Sequence, residues 1–173
     1  YDDISTKGEY KMAREAGLTD EEALEACFRN SRDNARTPMQ WDDTVQAGFT
    51  TGTPWIPVNP NYTKINAKEQ RNREDSVFHY YQKLIALRKE YPIIVYGVYE
   101  LLIPESEELY VYTRSLDEQK LLVICNFTDK EIGYRLSEEF AGHCTTVLIS
   151  NYNRENVEPE MMLRPYETVV VLK

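Results

Sequence analysis

The sequence predicts an α+β chain in which a helical and irregular first part precedes an all-β antiparallel sandwich. Three patterns indicate this fold class. Residues 74–91 carry apolar side chains at a helical period, residues 29–73 show no period of either kind, and a period of two begins after Pro92. We therefore expect two domains, one over residues 1–93 and a sandwich over residues 94–173.

Composition and charge limit the classes of function. The 173 residues are 42% hydrophobic, which is enough for a packed core. The net charge of −9, from 20 basic and 29 acidic residues, argues against nucleic acid and anionic membrane surfaces as partners. No apolar run approaches the roughly 18 residues of a membrane span. The chain begins at Tyr1 rather than at a methionine or a signal peptide, so we expect an excised or processed chain.

Two short helices are predicted near the start. Helix-forming residues over 8–17 end at Gly17, a residue suited to a C-terminal cap. Thr19 and Glu22 form the pattern of a capping box, in which each side chain bonds the backbone amide of the other. A second helix is therefore predicted over about residues 20–28.

Residues 29–73 form a segment too long for an ordinary loop of a compact domain. The segment holds prolines at positions 38, 54, 57 and 60, which break regular structure. It also holds large apolar side chains that need a covering surface: Trp41, Phe49, Trp55, Ile56, Val58, Tyr62 and Ile65. We expect that surface to belong to a scaffold outside these 173 residues.

The next elements are one long helix and a series of strands. Val77, Tyr81, Leu84, Ile85 and Arg88 share one face of a helix over residues 74–91, which Pro92 ends. Alternating runs then predict strands over residues 95–102, 109–115, 120–127, 131–136, 143–150 and 168–172. Short strands at spacings near ten residues are typical of a sandwich. Residues 94–173 also hold 7 basic and 14 acidic residues, a charge shift that supports the boundary.

The densest polar motif is "SRDNARTPMQWDD", over residues 31–43. Arg32 and Arg36 in one turn would point the same way, and each offers a planar fork of donors for a carboxylate or for sugar hydroxyls. The alternative is a structural salt bridge between Arg36 and Asp33 or another acid, and the spacing alone favours it. Pro38 stiffens the backbone of this segment.

No metal, cofactor or nucleophile pattern is present in the sequence. His79 and His143 lie far apart and are interpreted as packing or edge residues. Cys27, Cys125 and Cys144 show no metal-ligand spacing, and we interpret them as thiols of a reducing, cytoplasmic compartment. The carboxylates do not form a convincing acid and base pair, so no catalytic residue is assigned.

At "SRDNARTPMQWDD" the sequence resembles the α-glucosidase branch of the α-amylase superfamily, glycoside hydrolase family 13, in particular oligo-1,6-glucosidases and dextran glucosidases. The resemblance continues through "AGFTTGTPWIPVNPNY", "SVFHYYQKLIALRKEYP", "LLVICNFT" and "LRPYETVVVLK", and so covers essentially the whole chain. It implies that residues 1–73 are the last active-site loop of a (β/α)8 barrel, residues 74–91 its last helix, and residues from about 94 the C-terminal sandwich.

The resemblance also implies a chemistry. Enzymes of this family hydrolyse α-glucosidic bonds of short oligosaccharides with retention, using a carboxylate nucleophile and a carboxylic acid. These catalytic carboxylates map upstream of Tyr1, so we expect the isolated chain to be inactive. Arg32 is the expected contact to the terminal glucose, paired with an acid outside the chain, and Arg36 and Asp33 are expected to brace the loop. No cofactor is implied, and we expect the isolated chain to associate through its exposed apolar loop surface.

A second function class stays open beside the enzyme. The sandwich could be a non-catalytic module that binds carbohydrate or stabilises a partner, if it exposes aromatic rings. The candidate rings are Tyr96, Tyr99, Tyr110, Tyr112 and Tyr134, although cross-strand packing accounts for them more simply.

Overall fold

Two helices joined by a short turn begin the first part of the computed structural model, which describes residues 2–142 and 145–173. Helix α1 spans Ile4–Glu15 and α2 spans Asp20–Asn30. Gly17 follows α1 with a φ of 92°, a conformation that glycine adopts without strain. The predicted capping box is confirmed, because Thr19 Oγ1 accepts from the Glu22 amide at 3.3 Å and Glu22 Oε2 accepts from the Thr19 amide at 2.8 Å.

Helix α1 packs against α2, and this brings the start of α1 close to the end of α2. Ala23 and Cys27 of α2 are buried, and Cys27 Sγ lies 3.7 Å from the Thr6 carbonyl oxygen of α1. The residues that precede α1 and the residues that follow α2 therefore become neighbours, although about 30 positions separate them in the chain.

The segment that lacks a period in the sequence is built from turns. It contains 3₁₀ turns at Arg32–Ala35, Val45–Gly48 and Pro60–Thr63 and a short helix α3 at Ala67–Asn72. The sequence did not predict α3, which is held by its N-cap: Asn66 Oδ1 accepts from the Glu69 amide at 2.9 Å.

The apolar side chains of this segment are largely uncovered. Trp41 is 54% exposed and Trp55 is 76% exposed, and Phe49 and Ile65 are also exposed. Ile56, Val58 and Tyr62 are half-buried. The expectation that these side chains are not enclosed by the chain itself is therefore confirmed for the described residues.

Helix α4 spans Val77–Glu90, close to the predicted range, and a short helix α5 follows at Ile93–Tyr96. None of the residues of α4 is buried. The predicted strand over 95–102 is wrong at its start, because Val95 and Tyr96 belong to α5. The cause is local: Pro92 adopts helical angles of −55° and −29° and begins a further turn before the strand.

Within residues 94–142 and 145–173 the sandwich contains seven antiparallel strands in two sheets. The strands are β1 Val98–Leu101, β2 Leu109–Leu116, β3 Gln119–Asn126, β4 Ile132–Arg135, β5 Thr146–Ser150, β6 Glu160–Leu163 and β7 Thr168–Leu172. The first sheet has the order β1-β2-β3-β7-β5, and β4 pairs with β6 in the second. Strand β6 was not predicted. His143 and Cys144, with the start of the predicted strand 143–150, lie outside the described residues.

The core of the sandwich lies between the two sheets. One face of the large sheet contributes Val111, Leu122, Ile124, Val169 and Val171, which pack with Phe140 and Leu163. The opposite face carries Leu121 and Val123, and Ile93 of α5 packs against both. The large sheet is therefore apolar on both faces, which explains the nearly continuous apolar run of β3.

The described residues divide into two compact units, the first ending at His79 and the second running from Tyr80 to Lys173. The domain boundary expected at residue 93 stays a prediction. None of the described helices combines the length and the apolar character that a membrane crossing requires.

Candidate functional site

The arginine motif begins at a 3₁₀ turn that Ser31 caps. Ser31 has an extended backbone, and its Oγ accepts from the Asp33 amide at 3.3 Å. The turn spans Arg32–Ala35 and closes where the Arg36 amide donates to the Asp33 carbonyl at 3.1 Å. One short turn therefore positions the three side chains that the sequence singled out, Arg32, Asp33 and Arg36.

Arg32 is held by a carboxylate within the chain. Its Nε lies 3.2 Å from Asp3 Oδ2 and its Nη2 lies 2.6 Å from Asp3 Oδ1, a two-pronged contact along one edge of the guanidinium. The Asp3 side chain is 4% exposed, whereas the Arg32 side chain is 65% exposed. Thr6 Oγ1 also donates to Asp3 Oδ2, at 3.2 Å. The guanidinium is thus anchored along one edge while most of the side chain faces solvent.

This geometry corrects the expectation that the acid paired with Arg32 lies outside the chain. Asp3 comes 29 positions earlier, directly before α1, and Arg32 lies two residues after the end of α2. Pairing of the two helices makes them neighbours. Nothing in the sequence indicated this pairing, because Asp3 lies five positions before the predicted start of the first helix at residue 8, where an acid is typical of a turn or a cap.

Asp33 connects the turn to the residues before α1. Its Oδ2 accepts from the backbone amides of Asp2 at 2.7 Å and Asp3 at 3.1 Å. Its Oδ1 accepts from Arg36 Nη2, which also lies 3.8 Å from Asp3 Oδ1. The salt bridge between Arg36 and Asp33, weighed as the alternative to a ligand role, is therefore present. Both arginines of the motif approach Asp3, as two donors from one turn can.

The two buried carboxylates are ionised at neutral pH. The hydrogen bond from Arg32 is the main reason why the pKa of Asp3 falls to about 2, and burial opposes it. For Asp33 burial is the largest influence and raises the pKa. Hydrogen bonds from the Asp2 and Asp3 amides and from Arg36 outweigh burial, so the pKa of Asp33 is lowered overall. Two guanidinium and two carboxylate groups leave the cluster close to neutral.

Several cavities border this part of the chain. One of about 210 Å³ lies beside Asp33 and Thr37 and includes Ile56. Another, of about 520 Å³, lies beside Trp41 and combines that ring with Lys68 and Arg71. An aromatic ring beside charged donors is a lining that suits a sugar, and it also suits an unfilled packing surface.

The remaining polar candidates are structural. His79 Nδ1 lies 2.7 Å from the Arg73 carbonyl oxygen and 3.1 Å from Ser76 Oγ, so the ring is fixed within its own segment. Within residues 2–142 and 145–173, no cluster of three histidine, cysteine or acidic side chains is arranged to bind a metal ion. Cys27 and Cys125 are free thiols, and burial raises the pKa of Cys125.

Comparison with known proteins identifies the family. The model for the α-amylase catalytic domain matches residues 2–97, which is more than half of the chain. The chain belongs to the α-amylase family. A second model, for the C-terminal domain of the α-amylase SusG, matches residues 109–170. The two matches confirm the predicted fold class, in which the end of the catalytic domain precedes an antiparallel C-terminal domain.

Individual relatives agree with this assignment to the α-amylase family. The chain is 49% identical to an oligo-1,6-glucosidase of Parageobacillus thermoglucosidasius over 98% of its own length. Its fold matches the crystal structure of the trehalose-6-phosphate hydrolase of Bacillus licheniformis with a TM-score of 0.91, at 42% identity over 99% of the chain and 32% of that protein. It matches an isomaltulose synthase of Klebsiella with a TM-score of 0.90, at 40% identity, over the whole chain and 32% of that protein. The chain spans about a third, 31%, of the length of the first of these relatives.

Proposed function

We propose that this chain is the C-terminal part of a retaining α-glucosidase that hydrolyses α-1,6 and related glucosidic bonds of short oligosaccharides. The observation that carries the proposal is the match of residues 2–97 to the α-amylase catalytic domain. The relatives named oligo-1,6-glucosidase, at identities up to 49%, support the choice of bond. Because other relatives carry different substrates in their names, the leaving group is proposed only as a sugar of a short oligosaccharide.

In this proposal residues 1–93 complete the catalytic barrel and residues 94–173 are the C-terminal sandwich. The active face of such a barrel is built from the loops that follow its strands. Two features support the arrangement. Trp41 and Trp55 are exposed in the loop segment, and α4, proposed as the last barrel helix, has no buried residue. Both would be covered by the rest of the barrel.

The nucleophile and the general acid of the proposed reaction belong to the part of the enzyme outside these 173 residues. A retaining glycosidase needs two carboxyl groups about 5–5.5 Å apart across the scissile bond. Asp3 and Asp33 do not suit these roles, because each already accepts hydrogen bonds from an arginine and both have lowered pKa values. The chain by itself is therefore inactive, and it self-associates through its exposed apolar loop surface. The free thiols Cys27 and Cys125 support a cytoplasmic location.

Arg32 is the proposed contact to the terminal glucose, and Arg36 and Asp33 brace its turn. The edge of the guanidinium opposite Asp3 includes Nη1, which no described residue engages and which can donate to sugar hydroxyls. The transition state of glycoside hydrolysis carries positive charge on the sugar ring. An isolated guanidinium beside it would be unfavourable, and the paired Asp3 carboxylate removes most of that penalty.

The test is Arg32→Ala in the complete enzyme that contains this segment, assayed with isomaltose and with p-nitrophenyl α-glucoside. Loss of the donor leaves sugar hydroxyls unpaired, so we expect kcat/KM to fall about 5- to 150-fold, the effect of one buried unpaired polar group. Arg29→Ala is the matched control, because among residues 2–142 and 145–173 Arg29 pairs with exposed Glu25 on α2. Unchanged kcat/KM for Arg32→Ala would contradict the role of Arg32. Turnover by the 173-residue chain alone would contradict the division of the active site.

A second candidate function is a carbohydrate-binding role of the sandwich, and one cluster of rings favours it. The rings of Tyr99 and Tyr112 lie 5.2 Å apart, those of Tyr110 and Tyr112 lie 5.3 Å apart, and Phe127 lies 6.4 Å from Tyr110. The hydroxyls of Tyr99 and Tyr110 are 3.0 Å apart, and both side chains are exposed. Tyr134 is not part of this cluster, because it packs against the core between the sheets. Exposed rings with polar tips suit stacking on sugars.

A further inference from the structure

The paired side chains of Arg32 and Asp3 differ in their exposure to solvent. Asp3 is 5% exposed as a residue, and its carboxylate accepts from Arg32 Nε, Arg32 Nη2 and Thr6 Oγ1. Arg32 is mostly exposed. A buried acid with three donors is fixed in place, whereas an exposed arginine has many rotamers. Asp3 is therefore the rigid partner, and its carboxylate determines the position of the Arg32 guanidinium.

The backbone around Asp3 is fixed by a second, independent set of contacts. Asp33 accepts from the backbone amides of Asp2 and Asp3 through one oxygen and from Arg36 through the other. Asp33 lies next to Arg32 in the turn. The same short segment therefore holds both the backbone of Asp3 and the side chain of Arg32 in place. A displacement of Asp3 relative to Arg32 would break these amide contacts.

An ordinary surface salt bridge does not require this arrangement. Exposed pairs of the chain, such as Lys7 with Asp2 or Lys11 with Glu15, use one contact between two exposed side chains. Such pairs contribute little to stability. Burial of the Asp3 carboxylate carries a desolvation cost that offsets much of the gain from pairing, so stability alone does not account for the arrangement.

We propose that Asp3 is a positioning residue that presents Arg32 to the terminal glucose and neutralises its charge during the reaction. The inference rests on the proposed function of Arg32. Holding the guanidinium in one orientation before substrate arrives removes an ordering cost from binding. Neutralising it limits repulsion of the positive charge that develops on the sugar in the transition state. Asp3 thus influences both KM and kcat without touching the substrate.

The decisive experiment is a double-mutant cycle in the complete enzyme, with Asp3→Asn, Arg32→Ala and the double variant assayed on isomaltose. Asparagine keeps the size of the side chain and removes its charge. We expect Asp3→Asn to lower kcat/KM about 10-fold or more, the weight of one charge-assisted hydrogen bond, with a larger part of the loss in kcat. In the Arg32→Ala background the same substitution is expected to have almost no further effect on kcat/KM. Asp2→Asn, whose carboxylate pairs with exposed Lys7, is the matched control.

Each result of the cycle has a separate meaning. If Arg32→Ala impairs the enzyme and Asp3→Asn does not, the positioning role is wrong and the proposed function of Arg32 stands. If the losses in kcat/KM from Asp3→Asn and Arg32→Ala are additive in free energy, the inference is also overturned, since Asp3 would then act independently of Arg32. If neither substitution changes kcat/KM, the proposed role of Arg32 fails and the inference fails with it.

A second measurement needs no substitution and uses the 173-residue chain. NMR of arginine side chains distinguishes a guanidinium with restricted rotation from one that rotates freely. We expect the Nε–H of Arg32 to exchange slowly with water, in contrast to that of Arg29, which pairs with a residue on the exposed face of α2. A freely rotating Arg32 guanidinium would overturn the positioning role even if Asp3→Asn prevented folding.

Discussion

Substitution of Glu167 is expected to lower the stability of the sandwich more than substitution of an acid in an exposed ion pair. Glu167 is fully buried at the turn between β6 and β7. Its Oε1 accepts from Arg154 Nε at 2.8 Å, and its Oε2 accepts from Arg154 Nη2 at 3.2 Å and from the Arg164 amide at 2.8 Å. Glu167→Gln keeps the shape of the side chain and replaces one of these accepting oxygens with a donor.

The size of the effect follows from these contacts. The best orientation of the glutamine amide keeps its oxygen toward Arg154 Nη2 and the Arg164 amide, and turns its NH₂ toward Arg154 Nε. At least one buried donor then loses its acceptor, and Arg154, whose side chain is 18% exposed, loses its counter-charge. Breaking a buried pair from one side costs about 3–5 kcal/mol. At the lower value, a domain of this size loses about 12–24 °C in Tm.

The assay is urea unfolding of the 173-residue chain, with hydrogen exchange read by mass spectrometry over β3 and β7. Both tryptophans, Trp41 and Trp55, lie before residue 80, so their fluorescence reports the first unit and provides an internal reference. The matched control is Glu160→Gln. Glu160 pairs with Arg135 on the surface of the second sheet, with both side chains exposed, and its loss should cost less than about 1 kcal/mol.

The pH dependence gives an independent check on the same group. Burial alone raises the pKa of Glu167, but the hydrogen bonds from Arg154 and the Arg164 amide, with the charges of both arginines, lower it overall. A carboxyl whose pKa is lower in the folded state stabilises the fold above its unfolded pKa, about 4.3, and this contribution disappears as the pH falls through the folded pKa. The difference between the parent chain and Glu167→Gln should therefore shrink below about pH 4. A loss under 1 kcal/mol at pH 7, or one independent of pH, would refute the reasoning.

Two further outcomes are expected from the sandwich. Gly97→Ala places a Cβ 2.5 Å from the Ile93 carbonyl oxygen and 3.0 Å from Arg114 Cβ, so we expect a loss of about 1–3 kcal/mol in the same unfolding assay; an unchanged midpoint would contradict this contact. If the ring cluster binds carbohydrate, affinity electrophoresis in dextran or amylose should retard the 173-residue chain, and Tyr99→Ala with Tyr110→Ala should abolish the retardation. Absence of retardation in the parent chain would exclude this second function.

Local chemistry made several elements predictable. The capping box at Thr19 and Glu22 and the stop at Pro92 depend on residues within a few positions of one another, so the sequence located the second helix and the end of α4 well. The alternating strands β2 and β7 were found because burial on a sheet face repeats every two residues. Strand β6 and helix α3 were missed. Each is short, and their apolar or capping pattern spans too few residues to stand out.

The candidate site was predictable only in part. The motif of Arg32, Asp33 and Arg36 was visible because its segment is too irregular for a helix face and too charged for a core strand. Its arrangement was not visible, since Asp3 reaches Arg32 only through the packing of α1 against α2. The resemblance supplied the family, and it placed the partner of Arg32 outside the chain, whereas the structure pairs Arg32 with Asp3 within it.

The sequence by itself determined the family and the order of the long helices and main strands, and it singled out Arg32, Asp33 and Arg36 as candidates. These properties depend on local propensity, on the period of apolar residues, and on motifs that are contiguous in the chain. The tertiary structure decided which acid neutralises Arg32 and which rings stay uncovered. It also decided that Glu167 is a buried ion partner rather than a surface acid. These properties depend on contacts between residues far apart in sequence, whose burial and electrostatic environment exist only after the helices and sheets have packed.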